Sequence, residues 1–233
     1  MKRYGNIFTL AIFAGAMGIL EAAVVVYLRQ IYYPSGFVFP MVPIPGRMFS
    51  VELIREAATI VMLACAGGLA GRTPLRKFAY FIFAFGAWDI VYYAGLKLFL
   101  GWPPSLLTWD VLFLIPVTWL GPVLAPVICA LTMLLFSLCV VAPGEKGYEP
   151  KIGPAQWGLM SLGAVLIFCT FVWDYTKLIV QNGLSSVLFT PAGGESFRQV
   201  LSQYVPVHYN WWLFCLGEIL ILSGIASFSK RSS

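Results

Sequence analysis

Seven acidic residues stand in or beside strongly apolar stretches of this 233-residue chain: Glu21, Glu52, Glu56, Asp89, Asp110, Asp174 and Glu218. A carboxyl group withheld from water keeps its proton to higher pH and can act as a general acid or base near neutrality. Cations lie close by in sequence. Glu52, Arg55 and Glu56 fall at i, i+3 and i+4, and Thr170, Asp174 and Lys177 at i, i+4 and i+7, so each set shares one helix face. Asp89 is followed by Tyr92 and Tyr93 at the same spacing, which predicts tyrosine hydroxyls as its hydrogen-bond partners. Gly18 and Ala22 flank Glu21 on a small-residue face where a second helix can approach.

From these residues we expect Asp89, Glu218, Glu21 and Asp174 to do acid–base chemistry. Glu52, Arg55, Glu56, Tyr92, Tyr93, Asp110, Lys177 and the interfacial Trp211 are expected to contact a ligand. Arg29, Arg55 and Lys177 are the cations placed to hold an anionic group. The competing account is structural: pairs such as Glu56–Arg55 and Asp174–Lys177 would only fasten helices together.

Other chemistries find little support. His208 is the only histidine, so a haem held by two histidines within the chain is excluded, and no Glu-x-x-His pair offers carboxylate-metal spacing. The five cysteines lie in apolar runs without a C-x-x-C pair, as small core residues do, rather than as disulfides or zinc ligands. No G-x-S-x-G, phosphate loop or dinucleotide fingerprint occurs. The glycines of "CAGGLAG" suit helix packing. No cofactor is indicated.

The elements that must hold these groups are membrane helices. The chain is 60% hydrophobic and only 11% charged, against about a quarter charged in soluble domains. The reading is an all-α, polytopic integral membrane protein with one domain over 1–233. Spans are predicted at about 6–28, 51–71, 78–100, 119–141, 156–180 and 210–229, each near the 20 residues a bilayer requires. The first is read as an uncleaved helix rather than a signal peptide, since its apolar run continues through "VVVYL". Pro116, Pro122 and Pro126 interrupt the segment before the fourth span, so 106–117 is expected to be interfacial or re-entrant. "SFRQVLSQYV" reads as a short amphipathic helix.

Nine Lys and Arg residues then fall on the side of both termini and six on the other, which predicts cytoplasmic termini and a cell (inner) membrane location. The net charge of +5 follows from these flanking residues, and no basic patch interleaves with aromatics as nucleic-acid binding would require. Asp89 is eleven residues before Leu100, roughly 16 Å along the helix and near the midplane. Glu21, Glu56, Asp174 and Glu218 lie roughly 8–12 Å from the same end. A central carboxylate costs about 2.5–3.5 kcal/mol to insert, so five unpaired ones would cost roughly 12–18 kcal/mol. They are therefore expected to line an outward-opening cavity. An amphipathic lipid, isoprenoid or quinone-like molecule is the expected ligand. A solute-binding or transport component and a non-catalytic subunit of a membrane complex, with partner membrane subunits, are the alternatives.

Overall fold

The computed structural model describes residues 5–145, 148, 150–183 and 203–231. Most of "SFRQVLSQYV" lies outside the described residues. Six long helices follow one another among them: α1 (Gly5–Tyr32), α2 (Gly46–Ala70), α3 (Pro74–Leu100), α4 (Leu124–Glu145), α5 (Pro154–Gln181) and α6 (Trp211–Arg231). All six are long and apolar enough to cross a membrane. They are apolar around most of their circumference, as lipid-facing helices are, and leave large side chains such as Leu69 and Trp212 almost fully exposed.

Local sequence sets the helix ends. Thr73 accepts a hydrogen bond from the Arg76 N–H and is followed by Pro74, a strong start for α3. Gly101, at φ 65°, closes the same helix, and its N–H donates to the Lys97 carbonyl. Pro154 likewise opens α5 at its first turn.

Packing divides the chain into a layer of α1, α2, α3 and α4, in which α3 touches each of the others, and an α5–α6 pair. Small residues permit the close contacts. A side chain at Gly18 would strike the Trp88 carbonyl, and one at Gly86 the Ala130 carbonyl, so α1 and α4 both meet the α3 backbone directly. Gly163 and Gly217 oppose each other in the same way between α5 and α6. Gly67 of "CAGGLAG" abuts the backbone of Phe81, as helix packing predicts.

The main departure from the sequence reading lies between α3 and α4. The chain is not all-α: β1 (Trp109–Phe113) and β2 (Trp119–Pro122) form an antiparallel hairpin, with Asp110 opposite Gly121 and Val111 opposite Leu120. The fourth helix accordingly starts at Leu124 rather than near 119. Pro116 and Pro122 cannot donate the N–H groups that an α-helix requires, and "WDVLF" is rich in strand-forming residues. The hairpin is also held from outside. The Leu114 N–H donates to Glu56 on α2 at 2.9 Å, and Asp110 is ion-paired to Arg29 on α1.

Candidate functional site

Two cavities adjoin α3 at the end of the molecule that carries the hairpin. The first, of about 210 Å³, is polar and lies among α1, α2, α3, β1 and the loop after α1. Glu21, Glu52, Glu56, Asp89 and Asp110 all line it, together with Arg29, Arg55 and Tyr92. Five of the seven acids singled out in the sequence therefore share one space.

Their pairing is specific. Arg55 bridges two helices: Nη1 pairs with Glu21 of α1, and Nη2 lies 2.8 Å from Glu52 of its own helix. The Thr59 hydroxyl donates to Glu21 at 3.3 Å. Arg55 thus engages Glu21 and Glu52, not the adjacent Glu56, whose carboxylate accepts the Leu114 N–H instead. Arg29 Nη2 lies 3.0 Å from Asp110 Oδ1, and the guanidinium stacks over Trp102 at 3.7 Å and Phe37 at 4.6 Å. Burial pushes the Asp110 carboxyl up to about 6, while the Arg29 guanidinium and the hydrogen bond from Tyr93 restrain the rise.

The tyrosines do not serve Asp89 as expected. Tyr93 donates to Asp110 at 3.3 Å, and the Tyr92 ring stacks on Trp88. The cause is the hairpin, which brings Asp110 to the α3 face where Tyr93 emerges. Asp89 makes no hydrogen bond or ion pair among the described residues.

The second cavity is an apolar groove of about 380 Å³ bounded by α3, α4, α5, α6 and the hairpin. Phe85, Trp88, Phe113, Trp119, Phe168 and Phe171 wall one end. Phe78, Phe136 and Trp157 close the other in mutual ring contact, with centroids 5.8–6.4 Å apart. Glu218 and Asp89 are its two acids. Glu218 Oε2 accepts a 2.8 Å bond from Thr132, whereas Oε1 is buried with no hydrogen-bond partner, only the weak thiol donor of Cys129 beside it. Trp88, Asp89, Leu112 and Phe113 line both cavities, and Asp89 is the acid that they share.

Three of the residues singled out in the sequence stand apart from this arrangement. Asp174 is hydrogen-bonded to Tyr204, whose hydroxyl that contact and burial push up, and it makes no ion pair with Lys177. Lys177 is exposed, and Trp211 packs on Tyr209 and Phe214. His208 is exposed. Residues that the sequence reading missed are Thr59, Thr132 and the aromatic walls. Phenylalanines in apolar helices carry no spacing signal, and Thr132 has no acid within two turns of it on α4 to draw attention to it.

Chemically, an ion-paired chamber and an apolar groove share Asp89 in their walls, a carboxyl group with no partner among the described residues. Among the described residues no three His, Cys, Asp or Glu side chains converge as metal ligands. No family model, curated protein or solved structure matches this chain, and its function is argued from this geometry alone.

Proposed function

We propose that this is an integral membrane protein that binds an amphipathic molecule, with the apolar part in the aromatic-walled groove and the reactive or recognised group at Asp89. The observation that carries this reading is the position of Asp89, without a partner where the groove meets the polar chamber. Buried polar groups are normally hydrogen-bonded, so an unpaired acid facing cavity space is a candidate for a ligand or for proton transfer. Glu218 stands in the same groove as a second acid.

In this mechanism Asp89 exchanges a proton with the bound molecule and with water in the chamber. Glu21, Glu52 and Arg55 keep the chamber hydrated and shaped through their ion pairs. The aromatic groove excludes water from the apolar body, so that only the polar end reaches the acids. The six helices form a single bundle in the cell membrane with both termini in the cytoplasm, which turns the chamber outward. The charge distribution of the loops supports that orientation.

Native mass spectrometry of protein extracted gently from its own membrane tests the reading. We expect a retained small amphiphile, still bound after Asp89→Asn, and loss of its turnover in that variant. A chain that carries no small molecule, or an Asp89→Asn protein with wild-type turnover, would remove Asp89 from the mechanism.

A further inference from the structure

Resting on that reading of the groove, we infer that its ligand is a long-chain alcohol or phenol: a neutral molecule whose hydroxyl group donates to Asp89. Three observations converge on this class. Asp89 and Glu218 are the two acids of the groove: among the described residues Asp89 has no hydrogen-bond or ion-pair partner, while Glu218 Oε1 is buried with only the thiol of Cys129 beside it. Both require a hydrogen-bond donor. The buried indole Nε1 atoms of Trp88 and Trp119, which line the same end, also lack partners, and they require an acceptor. A hydroxyl group is both donor and acceptor.

Charge excludes the obvious alternative, a phosphate or carboxylate headgroup. Among the described residues, no Lys or Arg lines the groove. The two arginines of the adjoining chamber are already engaged by Asp110, Glu21 and Glu52, among five acids. Arg29 Nη1 keeps a free donor, but with five acids against two arginines an anion at this junction would still meet an excess of carboxylates. The groove also has a matching length. From Asp89 to Phe78, the residue that meets Trp157 at the closed end, α3 rises roughly 16 Å. At roughly 1.3 Å per chain atom, about twelve atoms beyond a hydroxyl at Asp89 match that rise.

The test uses the detergent-solubilised full chain and three probes of equal length, each brominated at the tail: undecanol, its methyl ether and undecyl phosphate. Bromine quenches tryptophan on contact. The alcohol is expected to quench with about tenfold higher affinity than either the ether, which cannot donate, or the phosphate, which is anionic. Trp157→Phe should remove most of the quenching, because the tail lies there. Asp89→Asn should weaken the alcohol by about threefold or more, Glu218→Gln by less, and both should leave the ether unchanged. Both amides keep the side-chain shape, and the wild-type series decides the question even if a variant misfolds. A phosphate that binds as tightly as the alcohol, or an ether that does, overturns the assignment of a hydroxyl while leaving the groove as a chain site. If no probe quenches, the groove itself is not a chain site and the proposed function falls with it.

Discussion

Asp110 and Asp89 lie close together yet resolve burial differently. Asp110, 2% exposed, accepts from Arg29 and Tyr93; Asp89 lines cavity space and accepts from nothing among the described residues. The first is a structural ion pair. Breaking one side of such a pair leaves a buried charge, so Arg29→Met should cost about 3–5 kcal/mol of stability. It also removes the cation that sits over Trp102 and Phe37. Urea unfolding in detergent measures this, and a change below about 1 kcal/mol would mean that the pair is solvated. The pH behaviour of Asp110 follows from its carboxyl being held up to about 6 from an ordinary 3.8. Between those values the folded protein binds more protons than the unfolded chain, so this group's contribution to stability is full below about 3.8 and declines as pH rises to about 6. Above that it is level, with Arg29 and Asp110 paired as ions. Melting temperatures of wild type and Asp110→Asn, followed from pH 4 to 7, should diverge across that window. Parallel curves would place Asp110 in contact with bulk water.

The helices were legible as elements because a bilayer imposes length and apolarity on every span; the boundaries moved by a few residues where caps such as Thr73 and Gly101 act. The hairpin was not legible. Its strands are five and four residues long, and the prolines that signalled an interruption do not say which non-helical form follows. The pairing of residues suffered for the same reason. Helical spacing assigned Tyr93 to Asp89, but the hairpin delivers Asp110 to it. Two predictions belong here. Glu56→Ala strips the acceptor from the Leu114 N–H and should raise hydrogen exchange across 109–122 by about tenfold, whereas Glu56→Gln, which keeps a carbonyl acceptor, should not. Equal exchange in both would mean that the hairpin stands without α2. Gly163→Val drives a side chain into the Gly217 carbonyl and should destabilise the α5–α6 pair by about 1–3 kcal/mol. Gly158→Val, with open space around it, is the control on the same helix and should leave α5–α6 intact.

At the scale of the whole molecule, six antiparallel helices carry the hairpin, the chamber and the loop after α1 to one end, and the start of α1, the end of α6 and the α2–α3 turn to the other. The acids gather because alternate helix ends meet: Glu21 is late in α1, Glu56 early in α2, Asp89 late in α3 and Glu218 early in α6. Of the five acids that depth grouped, Glu21, Glu56 and Asp89 share the chamber, whereas Glu218 lines the groove and Asp174 lines neither. The division into a polar chamber and an apolar groove was not legible, since it depends on α4 and the hairpin standing between α3 and the α5–α6 pair. The orientation in the membrane remains a matter of charge. Arg72, Arg76 and Lys77 crowd the α2–α3 turn, while the loop at 33–45 has no Lys or Arg at all. The bias of basic residues toward the cytoplasm is what supports the proposed outward orientation of the chamber. Ser35 and Arg72 are both exposed, one at each end. With the five native cysteines replaced by alanine, Ser35→Cys should react with an impermeant maleimide in intact cells, and Arg72→Cys only after the membrane is opened. The reverse pattern would turn the chamber to the cytoplasm and leave its chemistry unchanged. Labelling of both sites in intact cells would break the six-span topology, and with it the convergence of carboxyl groups on which Asp89 depends.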